Sequence, residues 1–213
     1  MSRPRKKSNL AAARARMYRE LVFECAERVF AEEGFDTATM QDLANEAGVS
    51  LKTLYATFEG KDDIYREILE VRGKGLAEAI REIVGGEGTA LDRMRRGLGR
   101  VVTYLVEHRA FFRILLQEGR AWGLDPKSAG AREAWAEGMD AMRAVISDGI
   151  REGEMAPCDV DLMAPTVNAV LQVQLAGLLD RAGDDPDAEA MIDTIMETVE
   201  RLVAAGAADP RAA

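Results

Sequence analysis

The sequence predicts an all-α fold, on three observations. Apolar residues recur at three- and four-residue steps nearly throughout the 213 residues, and no segment sustains the period-two alternation of a half-buried strand. Turn-forming stretches, "GGEG" at 85–88, "GLDPKSAG" at 123–130, "EGEMAPCD" at 152–159 and "GDDPD" at 183–187, cut the chain into helix-sized pieces.

The first helix is expected from about Ala12 to Glu33, with Leu21, Val22, Cys25, Ala26, Val29 and Phe30 along one face and Gly34 as its stop. Phe35 follows as a core anchor. Thr39 with Asp42 three positions later forms a capping-box start for a second, short helix. Its apolar face is Met40, Leu43, Ala44 and Ala47, which turns Gln41, Asp42, Asn45 and Glu46 outward. Gly48 supplies a left-handed residue at the helix end, and Ser50 caps a third helix running from Leu51 to Thr57 or Phe58. A helix of that length, roughly 10 Å, is unstable alone. Leu54, Phe58 and Val49 must pin it to the first two, leaving Lys52, Thr53 and Tyr55 outside. Further helices are expected from Lys61 to the "GGEG" break and over Thr89–Glu107, Ala110–Trp122, Ala131–Glu152, Val160–Arg181 and Asp187–Ala205.

The formal charge of −9 conceals a lopsided distribution. Residues 1–61 hold 10 Lys+Arg against 9 Asp+Glu, and residues 62–213 hold 18 against 28. Arg3, Arg5, Lys6, Lys7, Arg14 and Arg16 meet no acid within the first sixteen residues, a basic arm able to approach a phosphate backbone. Cys25 and Cys158 are far apart and in no metal-type spacing, so neither a disulfide framework nor a metal site is expected, and no cofactor motif occurs. No window holds 18 uninterrupted apolar residues, and the N-terminus lacks the apolar core of a signal peptide. The expected address is the cytoplasm, with no membrane partner.

Two short helices joined by a glycine-containing turn, the second presenting polar side chains, form a helix-turn-helix pattern, in which the second helix of the pair enters the DNA major groove. The stretch "GFDTATMQDLANEAGVSLKTLYATFEGKDDIYREIL" closely resembles the N-terminal signature of the TetR family of transcriptional regulators, through Gly34-Phe35, Thr39, Leu43-Ala44, "AGVS" at 47–50, "TLY" at 53–55, Phe58 and Lys61. The "AFFRILLQEG" run at 110–119 is similar to the sixth helix of many members. The chain departs from the family pattern at Lys52, where many members carry glycine.

This resemblance implies a DNA-binding set of Thr39, Gln41, Ser50, Leu51, Lys52, Thr53, Tyr55, Thr57 and Lys61. Tyr55 and Lys61 are expected on phosphates and Thr53 on a phosphate or base edge, with Lys61 aided by the N-terminus of its helix. Gln41, Leu51 and Lys52 are placed for base reading, Lys52 toward guanine and Leu51 toward a thymine methyl. The expected organisation is a basic arm at 1–16, the helix-turn-helix domain at 17–60, a helical effector-binding and dimerisation domain at 61–205 and a tail at 206–213.

Three C-terminal stripes are broader than a monomer core requires: Trp135, Met139, Met142, Ile146 and Ile150; Met163, Val167, Val170, Leu171, Gln174 and Leu178; Met191, Ile195, Val199 and Leu202. The resemblance implies that the last two long helices pair with their symmetry mates, and a C2 dimer reads two half-sites where one short helix cannot specify a long operator. It also implies a small-molecule pocket, for which Tyr104, His108, Phe112, Trp122, Trp135, Met139, Asn168 and Gln172 are the candidate lining. The acidity of this region favours a neutral-apolar or cationic effector over a polyanion. The expected function is a homodimeric, ligand-responsive regulator, a repressor, on palindromic operator DNA. A helical adaptor without DNA binding is the alternative, and a helical enzyme a more distant one, since nucleophile-base spacing and a phosphate-binding glycine loop are both missing.

Overall fold

The computed structural model describes the backbone of residues 5–81, 87–117, 129–183 and 185–204, with side chains for 16–79, 87–117, 135–183 and 185–204. Among the described residues the chain forms α1 (Arg5–Glu33), α2 (Met40–Glu46), α3 (Leu51–Tyr55), α4 (Lys61–Arg81), α5 (Ala90–Glu107), α6 (Arg109–Gln117), α7 (Ala129–Glu152), α8 (Val160–Ala182) and α9 (Ala188–Val203). No strand occurs among them, and a single antiparallel bridge joins Met155 to Ala204. The all-α expectation holds. The chain divides into two compact units, Met1–Val71 and Arg72–Ala213, and the division falls inside α4 rather than at Gly60.

In the first unit α1 starts at Arg5, seven residues earlier than the expected Ala12, so most of the basic stretch has helical backbone. Ala11, of the strongest helix-forming type, lies in this extension and runs on into Ala12 and Ala13. The core joins Val22, Cys25, Ala26, Val29 and Phe30 of α1 to Leu43, Ala44 and Ala47, to Leu54 and Phe58, and to Ile64, Tyr65 and Ile68 of α4. Those α4 residues explain why the unit extends past Gly60. Leu21 departs from expectation at 41% exposed, because it sits at the edge of the buried stripe. Phe30, Phe35 and Tyr65 form an aromatic cluster with centroids 4.5–5.7 Å apart, Phe30 and Tyr65 edge to face. Phe35 is half-buried there rather than fully enclosed.

In the second unit α5 packs against α6, α7, α8 and α9. Met94, Leu98, Val102 and Leu105 fill its centre. Thr89 caps α5 in a reciprocal box with Asp92, and the Glu154 carboxylate accepts from Ala90 N at 2.7 Å, so the connection after α7 satisfies another orphan amide of α5. Met191, Ile195 and Val199 of α9 are fully buried within the protomer, and only Leu202 of that stripe is exposed, at 39%. The α9 stripe is therefore consumed by packing on α5 and α8 and does not stand open for a partner, contrary to the sequence expectation. Helix α8 differs. It buries Ala164, Val167, Leu171 and Leu175 but leaves Leu162 and Val173 at 67% and 51% exposed. α8 is also long and apolar enough to cross a bilayer by length and composition, yet its buried stripe is committed to neighbouring helices. Trp122 and the 206–213 tail lie outside the described residues.

Candidate nucleic-acid interface

The reader is built by local chemistry. Thr39 accepts from Asp42 N at 3.3 Å while the Asp42 carboxylate accepts from Thr39 N at 2.9 Å, the expected capping box. The Thr39 hydroxyl and then its backbone N–H hold the Asp42 carboxyl below its ordinary value of 3.8. A depressed carboxyl stabilises the folded state in full above that ordinary value, and this contribution is lost as pH falls through the lower, folded one. Thr39→Ala is expected to lower stability by about 1 kcal/mol at neutral pH and to flatten the acid limb of the stability curve, measured by urea denaturation between pH 3 and 7. An acid limb identical to that of the unmodified protein contradicts the assignment.

At the other end of α2, Val49 N donates to Ala44 O at 3.0 Å and Gly48 N to Asn45 O at 3.1 Å, closing a Schellman motif. Gly48 has φ +62°, a conformation that costs a side-chain-bearing residue roughly 1 kcal/mol or more. Ser50 then caps α3 by accepting from Thr53 N at 3.1 Å, as expected. The helix is shorter than expected and ends at Tyr55. Thr57 lies beyond it, its hydroxyl donating to Thr53 O at 3.1 Å. Leu54 is fully buried and Phe58 2% exposed, so the reader is braced from beneath. Arg19 adds a brace that the sequence did not announce: its guanidinium lies 4.8 Å from the Phe58 ring centroid and donates to Glu67 at 2.9 Å. Its partners stand far along the chain, so no local spacing could reveal them.

Of the residues named for DNA contact, Thr39, Gln41, Ser50, Lys52 and Tyr55 are exposed, Tyr55 at 54%. Leu51, Thr53, Thr57 and Lys61 are half-buried. Gln41 is held by Asn45, its Nε2 donating to Asn45 Oδ1 at 2.8 Å, which fixes the amide before any base arrives. Asn45 was missed as a site residue, although its i+4 spacing from Gln41 was visible. The hydroxyls of Ser50 and Thr53 are 2.7 Å apart, so each constrains the other.

Lys61 has a different environment from the expected one. Its Nζ donates to Phe35 O at 2.8 Å, Ala38 O at 3.1 Å and Asp36 O at 3.2 Å, which occupies all three N–H donors, and it lies 4.6 Å from the Phe35 ring centroid. The first turn of α4 also carries Asp62 and Asp63, with Glu59 just before it, and these carboxylates oppose a phosphate at that helix end. Here the lysine ties the start of α4 to the connection between α1 and α2. Lys61→Met is expected to lower the stability of the first unit by about 2 kcal/mol, since three carbonyls lose a charged donor. Lys61→Arg keeps the charge but replaces three converging bonds with a planar fork, so it is expected to restore little, a comparison read from thermal denaturation. Full rescue by arginine contradicts the tie.

The residues named for an effector are less uniform. Phe112 and Met139 are buried core residues, at 2% and 6%. Tyr104 Oη donates to Arg72 O at 2.7 Å and its ring meets His108 edge on at 4.4 Å, so the phenol is spent on α4 backbone. A Cβ at Gly75 would lie 2.5 Å from that phenol oxygen, which is why α4 carries glycine there. His108 caps the end of α5, and Asn168 is half-buried on α8. Trp135 Nε1 and Gln172 Oε1 are buried and have no hydrogen-bond partner.

Residues 22–68 match the family model described as "Bacterial regulatory proteins, tetR family". The chain is 26% identical over 190 residues to the HTH-type transcriptional repressor SCO4008 of Streptomyces coelicolor, covering 85% of this chain and 93% of that one. It is 27% identical over 151 residues to the HTH-type transcriptional repressor KstR2 of Mycobacterium tuberculosis, covering 67% and 72%. The solved structure of the ketosteroid transcriptional regulator KstR2 of that organism superposes with a TM-score of 0.75 at 24% identity, over 87% of this chain and 94% of that one, a likeness of fold. With the capped, braced helix-turn-helix lying inside the matched residues, the chain carries an N-terminal domain of the tetR family of bacterial regulatory proteins.

Proposed function

We propose that this regulator is a homodimeric repressor that occupies palindromic operator DNA through α2 and α3 and is released by a small-molecule effector. The observation that carries the DNA reading is a five-residue helix fixed by Ser50, Leu54 and Phe58 that keeps Lys52 and Tyr55 exposed. One such helix reaches only a few base pairs, and two related by a twofold axis read half-sites about one helical turn, 34–36 Å, apart. The uncovered apolar face of α8 supports pairing with a second copy, because Leu162 and Val173 are large apolar side chains left in water by the single protomer. Within this reading Lys52 and Gln41 contact base edges, and Tyr55, Thr39 and Ser50 contact phosphates.

The effector reading rests on the second unit. The buried donor Trp135 Nε1 and the buried acceptor Gln172 Oε1, both unpartnered, lie on α7 and α8, helices that pack together. Each such atom costs about 1–3 kcal/mol unless something bonds it. A neutral, largely apolar molecule with a hydroxyl group, which both donates and accepts, satisfies both types, and the similar KstR2 structure is that of a ketosteroid transcriptional regulator. An effector acts only through its preference for the conformation that cannot hold DNA, and moving the population from 1:99 to 99:1 takes about 5.5 kcal/mol. Such a regulator works in the cytoplasm and performs no turnover.

The test is electrophoretic retardation of the DNA beside its own gene, at several salt concentrations and with the palindrome intact or scrambled. Salt-sensitive, palindrome-dependent retardation is the expected result. Retardation that ignores the palindrome contradicts the repressor reading.

A further inference from the structure

We propose that Asn45 is the positioning residue that makes Gln41 select adenine over guanine, by holding one hydrogen of the Gln41 amide; this rests on the DNA-binding reading above. Helix α2 is fixed at both ends, by the Thr39–Asp42 box and by the turn at Gly48, and Leu43 and Ala44 are fully buried, which turns the row of Gln41 and Asn45 outward. The carboxylates beside that row are directed to partners within the unit: Asp42 accepts from Thr39 N at 2.9 Å and Glu46 from Arg28 Nη2 at 3.0 Å. The two amides, one helical turn apart, are bonded to each other. Gln41 Nε2 donates to Asn45 Oδ1 at 2.8 Å, and both residues are exposed.

A glutamine amide has two N–H donors on Nε2 and an acceptor oxygen, Oε1. With one hydrogen taken by Asn45, Gln41 keeps one donor and one acceptor on the same planar group. In the major groove adenine shows an acceptor, N7, beside a donor, its N6 amine, and takes both. Guanine shows two acceptors, N7 and O6, so one of them meets Oε1 without a hydrogen between. An unheld glutamine can turn its whole NH2 group to guanine, whereas Gln41 has only one hydrogen left to give. The long side chain is also ordered before DNA arrives, which lowers the entropic cost of the contact. The direction of this one hydrogen bond decides the base: Asn45 Nδ2 donating to Gln41 Oε1 would leave two donors and select guanine, and the observed bond runs the other way.

The experiment uses the full chain and a duplex that it enriches from a random-sequence library. Gln41→Ala first identifies the position in each half-site that Gln41 reads, as the one that becomes indifferent to the base. There the parent is expected to prefer A·T over G·C by about tenfold, and Asn45→Ala to reduce that ratio to about threefold or less, with the ratios at other positions and the melting temperature unchanged. Asn45→Asp keeps an acceptor in the same place, so it is expected to retain the preference while its charge weakens binding to every duplex alike. Any pair other than A·T at that position in the parent, or an Asn45→Ala ratio equal to the parent's, overturns the proposal. So does an Asn45→Asp ratio as low as that of Asn45→Ala, which makes Asn45 itself the contact, or a lowered melting temperature in Asn45→Ala with every position relaxed, which makes its role structural. A library from which the parent enriches nothing sinks the DNA-binding reading as well, whereas Gln41→Ala without effect at any position sinks this inference alone.

Discussion

Replacing Phe58 with alanine is expected to cost about 3–5 kcal/mol of unfolding free energy and to abolish sequence-specific DNA binding. α3 has five residues and cannot persist by backbone hydrogen bonding, so the reader exists only because Leu54 and Phe58 anchor it. Phe58 N donates to Leu54 O at 3.0 Å, which makes the ring part of the helix end rather than a separate core residue. Its removal leaves a cavity beneath α3 and strips Arg19 of the face it covers. A domain stable by about 5–15 kcal/mol survives such a loss only marginally. Urea denaturation followed by circular dichroism, paired with affinity for the enriched duplex, reads both effects. A loss below about 1 kcal/mol, as for a surface substitution, contradicts the anchoring role.

Val173→Arg is expected to convert the proposed dimer into a folded monomer and to weaken operator binding by on the order of 100-fold or more, because two linked readers gain their affinity from simultaneous engagement. Val173 is 51% exposed on α8, so the substitution removes little packing within the protomer and the melting temperature of the monomer should change little. A guanidinium on the apolar face meets its own symmetry mate across a twofold interface, which adds like-charge repulsion to desolvation. Sedimentation velocity distinguishes the species. A dimer that persists in the Val173→Arg variant at micromolar concentration places the interface elsewhere.

Much of the fold was legible because helix ends are local events. Thr39 with Asp42, Gly48 and Ser50 each act within three or four residues, and the expected ends of α2, α5, α7, α8 and α9 fall within about two residues of the observed ones. The reader's exposed set, Gln41, Lys52 and Tyr55, follows from the same short-range periodicity. Lys61 was misread because a lysine at a helix start looks the same in sequence whether its ammonium faces solvent or turns back on the carbonyls of Phe35, Asp36 and Ala38. The α9 stripe was misread for a related reason: an apolar face announces burial, but not whether its cover is the same chain or another.

The sequence by itself determined the helices, their caps and the composition of the reading surface, since those depend on side chains reaching backbone a turn away. Only the tertiary structure decided which charges are spent, which apolar faces are covered and which polar atoms are left waiting. Those outcomes depend on residues brought together from positions tens of places apart, as with Arg19 and Glu67, and no spacing along the chain encodes them.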